Sequence, residues 1–291
     1  MGNATPLKIR KPATLLLLTV AAVASAGATD LGRAQEHYWR TDYTSALDIL
    51  LPLPDKDATI DALIGKAYYM DGHYKNAAAY LEKAIGQDPG NSSYYDWLGK
   101  AYGRRAETSS FLTALPWANK TRAAFEKAVA LDGSNLEALS DLFEYYLEAP
   151  GLVGGGVDKA ERIAAQIQRF SGAEYHYACA RLAEKRKDFA RAEQELRMAM
   201  ELAPNQIGRV IDLAEFLSKH GRFEESDALF RRAAEMQPRS PKLMFARAES
   251  YIHSGRNLPQ AQQLLHEYAS LQITPDDPSR AEAARLLKNL H

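Results

Sequence analysis

Residues 58–91 read ATIDALIGKAYYMDGHYKNAAAYLEKAIGQDPGN, and the fold is decided there. Gly72 stands where a first helix ends, because glycine takes the left-handed conformation that stops a helix without a Cβ clash. Tyr74 opens a second helix, in which Ala77, Leu81 and Ala84 fall four and three apart and share one face. Pro89 closes the stretch, since proline cannot continue a helix. The next stretch answers in kind. In Tyr95-Asp96-Trp97-Leu98-Gly99-Lys100-Ala101-Tyr102 the apolar residues again fall three and four apart, and Gly99 is small where a neighbouring helix must come close.

Outward from here the same content returns at a fixed distance. Gly65 and Gly99, Tyr68 and Tyr102, Phe189 and Phe223, Ala199 and Ala233, and Pro204 and Pro238 are each 34 residues apart. Ala84 and Ala128, like Asn91 and Asn135, are 44 apart, the same unit with ten residues added. Ala192, Leu196 and Ala199 repeat the small-large-small face, and Gly221 with Phe223 repeats the turn at Gly72 and Tyr74. A period of 34 punctuated by Gly and Pro marks a helix-pair repeat, where a coiled coil would run on in heptads.

On Gly65, Tyr68, Gly72, Tyr74, Ala77, Ala84 and Pro89, residues 58–91 resemble a tetratricopeptide repeat (TPR) unit. Residues 173–206 and 207–240 resemble two more, and 92–135 a fourth opened by an insertion. Residues 136 to about 172 form a degenerate fifth and 241 to about 275 a sixth, while about 27–54, anchored by Tyr43, Ala46 and Leu50, is a weaker first unit. The resemblance implies an all-α, right-handed superhelix of antiparallel helix pairs, an array of six to seven units over 27–275. Residues 276–291 are expected to form a capping helix, with Asp277 as N-cap and Pro278 as first helical residue. The motif is specific for fold and assigns no partner.

Hydrophobic residues at 46% and charged residues at 25% suit a folded chain. Residues 1–26 read as a cleaved signal peptide: Lys8, Arg10 and Lys11 precede an apolar core that holds Leu15 to Leu18, and Ala24-Ser25-Ala26 supplies the small residues a peptidase accepts. The alternative is an uncleaved membrane helix, but the apolar stretch falls short of the ~20 residues that span a bilayer. An exported bacterial type is expected, periplasmic or secreted, with no membrane span in the mature chain. Loss of Lys8, Arg10 and Lys11 leaves 33 basic against 37 acidic residues, a net of −4, which excludes the strongly basic face of a nucleic-acid binder.

The lone Cys179 permits neither an internal disulfide nor a cysteine metal cluster, and between Ala178 and Ala180 it reads as buried and inert. His37, His73, His176, His220, His253 and His266 are scattered, with no pair at metal-ligand spacing. No Gly-x-Ser-x-Gly elbow occurs, and the carboxylates lie in solvated helices. No catalytic residue, metal or cofactor is therefore expected, and the chain is read as a non-enzyme.

The repeat breaks twice. Residues 103–119 add ten residues between paired helices. They read either as an apolar partner-binding knob of Phe111, Leu115 and Trp117, or as helices lengthened by a turn or more whose aromatics pack on neighbours. Residues 149–160 carry Gly151, Gly154, Gly155 and Gly156. A phosphate loop would end in Gly-Lys-Ser/Thr, whereas Asp158 precedes Lys159 and Ala160 follows it, so a flexible inter-helix loop is expected. The segment is similar to a loop that recurs in some exported bacterial TPR proteins.

In TPR arrays the first helices line a concave surface, and the resemblance places Lys66, Tyr69, Asp96, Lys100 and Arg104 in its early part. Glu144 and Glu148 follow, then Tyr177, Arg181 and Lys185, then Glu215 and Lys219. The groove is expected to begin basic, turn acidic and return to mixed. Lys66, Lys100 and Arg104 would hold an acidic segment through charge-assisted hydrogen bonds, and the alternative is a solvated helical face. The Lys and Asn set of the chaperone-binding TPR clamp is not reproduced, because asparagine is missing from these helices. Three functions fit: an adaptor that binds a protein or peptide in the groove, a structural subunit of an envelope export, pilus or polysaccharide assembly, and a cryptic small-molecule binder or enzyme. The first is preferred, since the fold offers a long groove and no reactive group.

Overall fold

The computed structural model describes residues 29–290. The leader read over 1–26 lies outside them, as do the side chains of Phe111 and Leu112. The described residues form fifteen α-helices and one 3-10 turn, with no strand among them. Helix α1 (29–39) pairs with α2 (Tyr43–Leu50), α3 (Ala58–Met70) with α4 (Tyr74–Gln87), and α5 (Ser92–Glu107) with α6 (Phe111–Leu131). The series continues with α7 (Leu136–Glu148) and α8 (Val157–Ile167), α9 (Gly172–Lys185) and α10 (Phe189–Leu202), and α11 (Ile207–Lys219) and α12 (Phe223–Met236). It ends with α13 (Pro241–His253), α14 (Leu258–Ser270) and a last helix, α15 (Arg280–Lys288).

Side-chain caps start many of these helices: Asp57 accepts from Ile60 N at 2.8 Å, Asn135 from Ala138 N at 3.1 Å and Ser171 from Glu174 N at 3.2 Å. The turn between paired helices needs a left-handed residue, supplied by Gly72 (φ 81°) and Gly221 (φ 77°). Within pairs, Gly65 and Gly99 let the helices meet: a Cβ would stand 2.7 Å from Leu81 Cγ in the first case and 2.5 Å from the Phe125 ring in the second. The core is a chain of local clusters, each built from one pair and its neighbour. First helices also touch the next first helix, α3 with α5, α5 with α7, α7 with α9 and α11 with α13. That crowding puts them on the inner side of the curve and leaves the second helices outside.

Two expectations are corrected, and of the two readings of the insertion the lengthened helices are the ones found. The cap of the last helix is Ser279, which accepts from Glu282 N at 3.1 Å, because Asp277 turns back to accept from Thr274 N at 2.9 Å. Ala283 and Leu286 of that helix are buried against α13 and α14. The glycine-rich segment is fixed, not flexible. Gly156 N donates to Tyr146 O at 2.7 Å and Lys159 Nζ to Gly154 O at 2.7 Å, while the Tyr145 hydroxyl lies 2.8 Å from Val153 O. A Cβ on Gly155 would stand 1.8 Å from Ala149 O, so glycine is required there. The insertion forms no separate element: α5 runs on to Glu107 and α6 passes unbroken through Pro116.

The two ends of the array meet. Arg280 Nη1 donates to Thr41 Oγ1 at 3.0 Å, and Gln272 Nε2 to Arg40 O at 3.3 Å. Thr41 holds φ 58° in the turn between α1 and α2, the place that glycine fills in other units. A β-branched residue there costs on the order of 1–3 kcal/mol, and its hydroxyl is what Arg280 reaches. Among the described residues no helix is long and apolar enough to cross a membrane.

Candidate partner-binding groove

One register position runs down the inner face. The ninth residue of α3, α5, α7, α11 and α13, and the tenth of α9, are Lys66, Lys100, Glu144, Arg181, Glu215 and Glu249. All six point from consecutive first helices, so the surface is read most simply as a line of charges: plus, plus, minus, plus, minus, minus.

The early groove gathers Lys66, Tyr69 and Lys100 around a residue that sequence reading passed over, Trp97. The Lys66 and Lys100 ammonium groups lie 5.0 Å and 4.7 Å from its ring centroid, and Tyr69 packs edge-on at 5.5 Å. Arg104 is exposed, stacks over Tyr74 at 5.3 Å and pairs with Glu107. The basic start expected of this region is corrected. Lys100 Nζ lies 3.1 Å from Asp96 Oδ2, 3.1 Å from Asp141 Oδ2 and in contact with Glu137, so its charge is consumed inside the protein. Asp96 is not a groove-lining group but is wholly buried. Glu137 and Asp141 come from the next unit's first helix, which is why a reading of α5 alone missed them.

With three carboxylates around one ammonium, one carboxyl retains a proton near neutrality. Burial, opposed by Lys100 and reinforced by Asp141, pushes Asp96 up to about 7. The carboxylates hold Lys100 charged well above the usual lysine range, against the opposing effect of its burial. Lys66, by contrast, has no carboxylate within 4.0 Å among the described residues, and burial lowers its pKa. Asp96, Glu137 and Asp141 offer ligand atoms within 4.8 Å of one another, the geometry of a metal set. The Lys100 ammonium stands in contact with all three and supplies the cation.

Further along, Arg181 reaches back to Glu144 at 2.7 Å and Glu148 at 3.2 Å, and Lys185 takes Glu148 at 2.8 Å. Tyr177 stacks under Arg209 at 4.4 Å, and Arg209 pairs with Asp212 at 3.1 Å. Tyr177 and Arg181 thus form one wall of a cavity of about 680 Å³ between α9, α11 and α13, with Asp212, Glu215, Phe216 and Glu249 among the others. The structure therefore brings Lys66, Tyr69 and Lys100 together at Trp97, with Asp96 buried under Lys100 and Arg104 set apart over Tyr74, and Tyr177 and Arg181 at this cavity. Trp117 belongs to neither. It lies on α6, half-buried, 5.6 Å from the Tyr102 ring, with the Arg105 guanidinium 3.4 Å over its own ring. Leu115 is likewise half-buried.

Two segments of the sequence, residues 62–91 and 211–278, match family models described as Tetratricopeptide repeat. Among solved structures, a tetratricopeptide repeat protein from Parabacteroides merdae superposes with a TM-score of 0.59 at 13% identity, over 90% of this chain and 98% of that one. A thermophilic TPR protein from Thermus thermophilus gives 0.54 at 17% identity, over 65% of this chain and 98% of that one. A comparison with curated proteins returns no match. The class is an all-α, right-handed superhelix of antiparallel helix pairs. Residues 62–91 and 211–278 are tetratricopeptide repeats, and the fold is that of tetratricopeptide-repeat proteins.

Proposed function

We propose that the protein is an exported, non-enzymatic scaffold that holds an extended segment of a protein partner along its concave face. The observation that carries this is the inner surface lined by six consecutive first helices, along which a cavity of about 680 Å³ opens between α9, α11 and α13. A groove of this kind offers charges of both signs and aromatic walls along its length, which suits an extended chain better than a compact one. Export is carried only by the basic, apolar and small-residue order of 1–26.

Mild crosslinking in the envelope fraction, followed by affinity purification and mass spectrometry, tests the reading. One dominant protein partner is expected, with recovery reduced by Arg104→Glu and Tyr177→Ala and unchanged by Glu235→Lys on the outer helix α12. Equal loss from the outer substitution, or a partner insensitive to both groove changes in a protein that melts normally, would contradict it.

A further inference from the structure

We propose that the cavity between α9, α11 and α13 is a docking surface for an arginine or lysine side chain of the bound segment, whose charge enters between Glu215 and Glu249. The proposal rests on the groove reading above and names the chemistry of its partner.

Apart from Lys66, the inner register is paired until it reaches this point. Lys100 is answered by Asp96, Glu137 and Asp141, and Arg181 answers Glu144 and Glu148. Glu215 and Glu249 then follow each other on adjacent helices, two like charges in equivalent places. Among the described residues neither makes a hydrogen bond or has a cation within 4.0 Å. Of the nearby cations, Arg181 is engaged with Glu144, Arg209 with Asp212 and Glu174, and Lys219 with Glu184, while His253 lines the same cavity. Lys242 of α13 acts on Glu215 only at longer range.

Like charges packed together without a cation disfavour the fold, and the same chain supplies a lysine where it needs one, at Lys100. The deficit at Glu215 and Glu249 is therefore left for something from outside. The cavity walls match a cationic side chain. Tyr177, Phe216 and Phe223 line it, each covered on one face, by Arg209, His220 and Arg256 respectively, so that only their remaining surface is left for an aliphatic stem. Asp212 lines the same space and is paired with Arg209 at 3.1 Å. Burial, Asp212 and Glu249 together push Glu215 up to about 7, as they would where a compensating charge is missing.

A randomised dodecapeptide library displayed on phage and selected on the full chain tests this. Selected peptides are expected to share an arginine or lysine at one position. Each should lose affinity at least about tenfold when that residue becomes glutamine, and again when the protein carries Glu215→Gln with Glu249→Gln. The double variant removes like-charge repulsion, so it should melt no lower than the original at pH 8. Peptides that bind and are lost with Tyr177→Ala, yet carry no basic residue or ignore the double variant, overturn the docking chemistry and leave the groove reading standing. A library from which nothing is enriched overturns both.

Discussion

The two halves of the inner face handle charge in opposite ways. Around Trp97, one lysine sits among three carboxylates contributed by two successive helices, and every charge but that of Lys66 is answered from within. Between α9 and α13 the same register carries Glu215 and Glu249, neither with an ion-pair partner within 4.0 Å among the described residues. The difference teaches that a charged line read from sequence says little about what a groove presents. What counts is which charges remain after neighbouring repeats have paired theirs.

The comparison is broken most forcefully at Lys100. Lys100→Met strands Asp96, Glu137 and Asp141 and should cost about 3–5 kcal/mol in urea unfolding, as when one partner of a buried ion pair is removed. Adding Asp96→Asn and Asp141→Asn to Lys100→Met should recover most of it. A loss under about 1 kcal/mol would mean that the cluster is solvated.

At the other end the sign reverses. The Glu215 carboxyl binds its proton more tightly in the folded chain, at about 7, than its ordinary 4.5 allows in the unfolded one. Its contribution to stability is therefore full below about pH 4.5 and is lost as pH rises through about 7. Glu215→Gln has no such loss. It should unfold with the original at pH 4.5 and be about 1–3 kcal/mol more stable at pH 8. An equal gap at both pH values would place Glu215 in ordinary solvation.

Smaller effects sharpen the same contrast. Arg181→Met should cost about 1–2 kcal/mol, since Glu144 loses its cation while Glu148 keeps Lys185. Lys66→Met should change stability by less than about 1 kcal/mol, because its contact is with the Trp97 ring and no carboxylate. Chemical denaturation of both variants in low salt ranks them, and an order reversed from this one would contradict the pairing described.

The fold was legible because the 34-residue period records backbone geometry: Gly65 and Gly99 mark close approach, and Gly72 and Gly221 mark left-handed turns. The cap of α15 was misread because Asp277 and Ser279 are both good cap residues, and only the turn at Thr274 decides between them. The glycine segment was misread because glycines signal freedom and close approach alike, and Gly155 serves the second. The charge balance was not legible from single helices. The partners of Lys100 and Arg181 lie one unit away, and the insertion shifts the register by ten residues between α5 and α7. Counting from each helix start would have aligned Lys100 with Glu144 and Glu215 with Glu249.

The most direct measurement is the titration of Glu215 in the free, full chain, followed by NMR of carbon-13-labelled glutamate carboxyls and assigned with Glu215→Gln. The account predicts a midpoint near 7, returning towards 4.5 when an arginine-bearing peptide fills the cavity. A midpoint already near 4.5 in the free chain would show that no charge is left unanswered there, and the contrast between the two halves of the groove would fall with it.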